Sequence, residues 1–264
     1  MVSEIQKNRM AKLLFCQEET IWNGTSWSNG LPTAEKAIVF NANFDLLNDS
    51  KACSCSMISG VTVKVATGIT LELGSYYSGG GTLIFENNAS FYQTDDSVEN
   101  TGIIQFKRKT SAVTTTDYTY WASPVASYTL GGVSQNKTKS DKYYSYEPTA
   151  TGQDWKQESA ATVMAPGKGY IIRGPEPPTL VSPYLATFTG VPNNGPYSIT
   201  PIFAGKNYLL GNPYPSALNA DTFLNENAGV LDGTLYFWTH NTQIQLASNI
   251  TDGSRSEEHT SELQ

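Results

Sequence analysis

Residues able to do chemistry are few in this chain of 264. With residues 255–264 set aside, His240 is the only histidine. A Ser-His-Asp or Cys-His arrangement would then have one base to draw on, placed just after Trp238, where a strand end is expected. Asp95 and Asp96 are adjacent, but paired carboxylates act on a coiled β-scaffold only when neighbouring coils present them on one face. The positions one coil earlier are Ser75 and Tyr76, so a turn role is expected for the two aspartates. Gly167-Lys168 in "APGKGYIIRG" lacks the upstream glycine and the following Ser or Thr of a phosphate loop. It reads as glycines beside a strand. No D-x-D-x-D-G loop or calcium-binding nonapeptide is present, and Cys53-x-Cys55 is too tight for the usual zinc pair. With Cys16 the cysteines number three, which gives no even framework, and all three read as incidental thiols. The expectation is therefore no catalytic set, no metal and no cofactor.

Composition narrows the partners. Charge is −7 from 17 Lys and Arg against 24 Asp and Glu. The basic residues do not form a stripe, so phosphate neutralisation of a nucleic acid has no footprint here. Lys107, Arg108 and Lys109 are the one basic run, read as a solvated strand end. No stretch approaches the ~20 apolar residues of a helical membrane span. In residues 1–19 basic residues precede the short apolar run 10–16, but Lys12 interrupts it and Glu18 and Glu19 follow. That is too short for a secretion leader. The stretch is expected to be irregular.

Aromatics are the strongest surface candidates, because ring faces stack on sugars and anchor protein partners. Trp22 and Trp27 lie in "TIWNGTSWSNGLP". Trp121 and Trp238 fit a sandwich core. Tyr144, Tyr146 and Trp155, in "YYSYEPTATGQDW", are the candidate glycan or partner contacts. A kelch-type blade would also use such residues, but its motif would have to repeat about every 50 residues.

The elements that must carry these residues are β. Low charge with abundant Thr, Tyr and Val suits strands. Short runs occur at "VTVKV" (61–65), "ITLEL" (69–73), "TLIFE" (82–86), "SFYQ" (90–93) and "IIQFK" (103–107). At steps of 20 or 21 residues Val63, Leu83 and Ile104 align, as do Val65, Phe85 and Phe106, and Leu71 with Phe91. A fixed period of this size signals coils that bury their apolar side only by stacking on each other. The reading is a short parallel β-solenoid over 20–110, two strands per coil, with corners at Gly68, Gly74, Gly79–Gly81 and Asn88. "KAIVFNANF" (36–44) reads as an earlier, less regular coil. Antiparallel hairpins are the rival explanation.

From 111 to 250 longer aromatic runs separated by turn residues predict an antiparallel β-sandwich. The boundary is expected near 108–117. One short helix is expected in "NADTFLNENAG", capped by Asn219 or Asp221, burying Phe223 and Leu224 and stopped by Gly229.

"TIWNGTSWSNGLPTAEKAIVF", "ENTGIIQFKRKTSAVTTTDYTYWASPV", "MAPGKGYIIRGP", "ATFTGVPNNGPYSI", "NYLLGNPYPSALNADTFL" and "LYFWTH" together resemble the large secreted or surface-exposed, adhesin-like proteins of gliding bacteria that use type IX secretion. The resemblance spans about residues 20–245. It implies an extracellular or outer-surface location and an adhesive scaffold with surface glycans or extracellular proteins as partners. It supplies no catalytic residue. Residues 255–264 resemble translated read-through of a short-read sequencing adapter, so they are excluded as a non-native tail and the natural chain is expected to continue. The functional expectation is a non-catalytic scaffold or adhesion module of a larger surface protein. The alternative is a carbohydrate-binding module of a polysaccharide-active protein.

Overall fold

The computed structural model describes residues 16–176, 182–237 and 262–263. Trp238, His240 and most of the tail 255–264 lie outside the described residues. The first half winds as a β-solenoid of about four turns. A single strand, β1 (Glu18–Trp22), opens it. The next coil comprises β2 (Lys36–Phe40), β3 (Phe44–Leu46) and β4 (Ser50–Ala52). A further coil is made by β5 (Ser54–Met57), β6 (Thr62–Val65) and β7 (Thr70–Leu73), and then another by β8 (Tyr77–Gly79), β9 (Thr82–Phe85) and β10 (Ser90–Gln93). Each strand pairs in parallel with its counterpart one coil on, so three walls rise together: β1-β2-β5-β8, β3-β6-β9 and β4-β7-β10.

The expected stacking is observed. Val63 sits beside Leu83 and Leu83 beside Ile104; Val65, Phe85 and Phe106 form a second row, and Leu71 meets Phe91. All of these side chains are buried in one core. The expectation of two strands per coil is corrected to three. The additional wall consists of "KAIVF", "SCSM" and "YSG", where Ser54, Ser56 and Ser78 stand in place of the outward apolar or charged residues that mark a strand and Gly79 takes the inward place that Phe40 and Met57 hold on the earlier coils. The expected glycine corner lies at Gly80 and Gly81, between β8 and β9, while Gly79 is the last residue of β8 and Tyr77 points fully into the core. Gly79 has φ +115°, and a Cβ there would overlap the Met57 backbone, so only glycine lets the coils approach at this point. Gly68 (φ +77°) and Asn88 (φ +65°) make left-handed corners as expected.

A set of residues not singled out in the sequence holds the corners in register. Asn43 Oδ1 accepts from the Thr62 N–H, Asp49 Oδ1 from Thr70 N–H and Asn87 Oδ1 from Lys109 N–H, at 2.7–2.8 Å across 19, 21 and 22 residues. The first two satisfy strand-entry donors on the following coil, and the third a donor within the strand Ile104–Val113. The basic run is not simply solvated. Arg108 lies 3.7 Å over the Phe106 ring and donates to the Ala89 carbonyl, while Lys107 pairs with Glu86 at 2.8 Å. Burial lowers the Arg108 pKa to about 10.

The cysteines are also corrected. Cys16 and Cys53 form a disulfide with Cα atoms 5.4 Å apart. Among the described residues Cys55 remains the free thiol, buried in the core opposite Tyr77. Counting cysteines misses the bond because the third, packed as a small apolar residue, masks an ordinary pair.

β11 (Ile104–Val113) begins as the last strand of the second wall and runs on past residue 110. β16 (Ser182–Gly190) pairs antiparallel with it. Between them in sequence come β12 (Tyr118–Trp121), the short helix α1 (Leu130–Val133), β13 (Tyr143–Pro148), β14 (Gln153–Gln157) and β15 (Tyr170–Arg173). These four strands form an antiparallel sheet ordered β12-β15-β13-β14. Trp121 meets Phe188 at 5.9 Å and Tyr128 meets it at 5.0 Å, so this sheet lies on the β11–β16 pair as a second antiparallel layer.

β17 (Leu218–Asn219) leads into α2 (Ala220–Glu226), whose N-cap Asn219 accepts from Thr222 N–H as expected. Phe223 and Leu224 are half-buried rather than core residues, and the helix is capped at Asn227, before Gly229. α1 leaves no helical signal in the sequence, because its "LGGV" carries two glycines in four residues. β17 also pairs with the two-residue strand β18 (Glu262–Leu263).

Both ends of the coil stack meet other parts of the chain. At the start Trp22 bridges to Trp27, and the pair packs on Phe40 and Phe44 with centroids 4.9–5.5 Å apart. The Trp22 Nε1 donates to the Asn43 carbonyl. These two tryptophans therefore cover the core and are not a surface platform. At the far end β16 covers β11, Phe91 N–H donates to the Pro215 carbonyl, and Thr101 and Gly102 N–H groups donate to the Tyr77 carbonyl. Three amides stitch the joint: Asn100 and Asn194 link residues 95–100 to 192–194, and Asn193 donates to the Ser123 and Pro213 carbonyls.

Candidate functional site

The four-stranded sheet has two unlike faces, as strand alternation demands. Inward lie Tyr143, Ser145, Tyr170 and Ile172, all buried, with Trp121 beside them. The register places Tyr118, Tyr120, Ile171, Tyr144, Tyr146 and Trp155 on the outward face. The three candidate residues of the sequence thus share one face. Tyr146 and Trp155 are direct cross-strand partners, with ring centroids 5.1 Å apart and planes at 70°. Tyr144 sits against Tyr118 at 6.0 Å and 65°, and its hydroxyl donates to the Asp141 carbonyl at 2.9 Å. Trp155 is 41% exposed.

Edge-to-face geometry has a chemical consequence. Rings tilted by 65–70° do not form the flat shared platform on which several sugar rings of a polymer lie side by side. Trp155 can offer one face to a single ring or to a side chain of a partner. Tyr118, Tyr120 and Ile171 are the members of this face that sequence reasoning misses. Alternation in "DYTYW" and "YII" is the available signal, but it shows only that each run has two faces, not which runs are neighbours.

A network of ionic groups borders this sheet. Ser145 Oγ lies 3.0 Å from Glu147 Oε1 and 2.8 Å from Glu158 Oε1. Lys156 pairs with Glu158 at 3.2 Å, and Lys168 pairs closely with Glu147. The Lys168 hydrogen bond holds the Glu147 carboxyl below its usual range. Lys168 is through this pair a staple of the sheet. Gly167 beside it has φ +78°, and a Cβ on Gly169 would overlap Leu209. Lys156 also reaches Glu147 at 3.9 Å, so the two carboxylates and two lysines form one connected network around the fully buried Ser145.

Asp95 turns its carboxylate onto the Ser97 N–H at 3.0 Å and the Ser97 hydroxyl at 2.6 Å, the turn role expected. Among the described residues no group of three or more His, Cys, Asp and Glu side chains converges to hold a metal ion. No described helix is long and apolar enough to cross a membrane.

No curated protein and no solved structure matches the chain. A family model described as a domain of unknown function, DUF8693, matches residues 16–254, which is most of the chain, and the chain belongs to that family.

Proposed function

We propose that the chain is a non-catalytic scaffold and adhesion module of a larger extracellular or outer-surface protein, presenting Tyr144, Tyr146 and Trp155 to a partner. The observation that carries this reading is the two-faced sheet. Its inner face is locked onto the coil stack, while its outer face bears six apolar or aromatic side chains across four strands. A rigid base and an outward aromatic surface are what a contact module needs, since little side-chain ordering remains at the moment of binding. The Cys16–Cys53 disulfide supports a location outside the reducing cytosol.

The test pairs location with binding. Surface biotinylation of cells carrying the native gene should label the protein, and an array of glycans and surface proteins should yield a ligand lost in Trp155→Ala. A protein found only in the cytosol, or an array with no ligand, rejects the proposal.

Carbohydrate binding is the second reading, favoured by the exposure of Trp155. Its tilted neighbours limit it to one stacked sugar ring, so affinity for an oligosaccharide should plateau at the shortest length. Affinity that keeps rising with each added sugar would rule out this single-ring geometry.

A further inference from the structure

Each wall of the coil stack begins with a strand that pairs on one side only among the described strands: β1, β3 and β4. Edges of this kind invite pairing with another chain. Backbone groups alternate in direction along a strand, so the residues that bond the next coil also fix which residues aim away from it. The Leu46 carbonyl accepts from Ala66 N–H and the Ala52 carbonyl from Gly74 N–H, both toward the next coil. In the three-residue strands β3 and β4 only Asp45 and Lys51 then aim their backbone groups outward. Short edges centred on a charged residue resist strand addition.

β1 is longer and needs another safeguard. The Trp22 carbonyl accepts from Asn41 N–H, so Trp22 and Thr20 face β2, while Glu19 and Ile21 aim their backbone groups at the outer edge. The chain itself occupies that edge. It turns at Asn23, whose Oδ1 accepts from the Thr25 and Ser26 N–H groups, and at Gly24, which has φ +101°. It then returns along β1. Ser28 N–H donates to the Ile21 carbonyl at 3.0 Å, and Ser28 Oγ accepts from Ile21 N–H at 2.9 Å. Asn29 Nδ2 donates to the Glu19 carbonyl at 3.3 Å and to Glu18 Oε2 at 3.0 Å. The Thr20 hydroxyl donates to the Gly30 carbonyl at 2.7 Å. Trp27, bridged to Trp22 and packed on Phe40 and Phe44, anchors the returning segment. Of the bonds to Glu19 and Ile21 backbone groups, those of Ser28 Oγ and Asn29 Nδ2 run through side chains. The segment thus blocks β1 without extending the regular ladder.

We propose that residues 26–30 are an edge guard, which occupies the pairing edge of β1 and bars a second copy of this chain from it. Uncovered, the edge suits self-pairing. In an antiparallel pair centred on Thr20, Glu19 of one copy exchanges both backbone bonds with Ile21 of the second copy, and the reverse pair does the same. Glu18 and Glu19 then lie opposite Trp22 and Ile21, so like charges stay apart.

Ser28→Pro tests the guard, because it deletes both bonds to Ile21 and keeps Trp27. Hydrogen exchange at the Ile21 amide is expected to quicken by up to about tenfold, the worth of one hydrogen bond. Light scattering is expected to show a mass that climbs with concentration to twice that of the native chain. Adding Ile21→Pro should return the mass to the native value. The Ile21 N–H points away from β2, so proline there removes an edge donor and no ladder bond. Unchanged exchange at Ile21, a mass that stays at the native value, or association that survives Ile21→Pro overturns the proposal.

Ser28→Ala/Asn29→Ala deletes the two side-chain bonds without a proline, and it is the variant to read if Ser28→Pro does not fold. The same faster exchange and the same rise in mass are expected of it. Their absence in a folded double variant overturns the guard equally.

Discussion

Cys16 and Cys53, separated by 37 residues, are joined with their Cα atoms 5.4 Å apart. The bond fastens the chain just before β1 to the bend between β4 and β5, across two coils of one wall. Closing a loop of this length removes about 4 kcal/mol of chain entropy from the unfolded state in the simple closure model. The Cys16→Ser/Cys53→Ser double variant is expected to lose about 2–4 kcal/mol in urea unfolding, and reductant should reproduce the loss in the native protein. An unchanged urea midpoint under reductant would show that the bond contributes nothing.

Cys55 should behave in the opposite way. Burial raises its thiol far above the ordinary range, so almost no thiolate exists at neutral pH. Maleimide is expected to leave the folded protein unlabelled and to modify one cysteine after non-reducing denaturation. Rapid labelling of the native state would contradict the burial of this residue.

The core row gives a paired test. Leu83 is fully buried between Val63 and Ile104, whereas the adjacent Ile84 faces outward between Lys64 and Gln105. Leu83→Ala is expected to cost about 2–5 kcal/mol, and Ile84→Ala under about 1 kcal/mol. Chemical denaturation of the two variants measures the difference, and equal losses would be incompatible with a stacked interior.

Asn100 joins the solenoid to the antiparallel half of the chain. Its amide accepts from Tyr77 N–H and Gln93 Nε2 and donates to Gln93 Oε1 and the Pro192 carbonyl. Asn100→Ala leaves these groups unsatisfied and is expected to cost about 1–3 kcal/mol. Hydrogen exchange should quicken at Tyr77 and near residue 192; unaltered protection there would mean that water replaces the amide without loss.

Glu147 predicts an acid limb in the stability profile. Its pKa is depressed in the folded chain, chiefly by the Lys168 hydrogen bond. A depressed carboxyl stabilises the fold above its unfolded pKa of about 4.3, and that contribution disappears as pH falls through the lower folded value. Half-exposure keeps the effect small. Urea midpoints are expected to drop more steeply below about pH 4.3 in the native protein than in Glu147→Gln. Parallel profiles would remove the ion pair from the stability account.

The features legible in the sequence are those that repeat. Val63, Leu83 and Ile104 can be aligned because equal spacing places equal residue types one above another, and burial makes that pattern strict. Of the wall of β2, β5 and β8 only "KAIVF" is legible; β5 and β8 escape notice because Ser54, Ser56 and Ser78 pack there without apolar side chains and Gly79 leaves an inward place empty of one. The disulfide is hidden for a different reason. Pairing over 37 residues depends on how coils return to the same edge, and local pattern carries no trace of it. The candidate face is legible in part: Tyr144, Tyr146 and Trp155 sit on one hairpin, so alternation alone unites them, whereas Tyr118, Tyr120 and Ile171 join them only through β15, whose placement is tertiary.

Strand pairing links each coil only to the coil before and the coil after, the Cys16–Cys53 bond alone reaching further, and separate segments close the two ends. A duplication of about twenty residues in the middle of the stack would therefore add one strand to every wall and shift the aromatic sheet outward by about 4.8 Å, leaving both closing segments with the same neighbours in kind. A molecule built this way can be lengthened or shortened in whole steps without redesign, while the surface it carries stays the same.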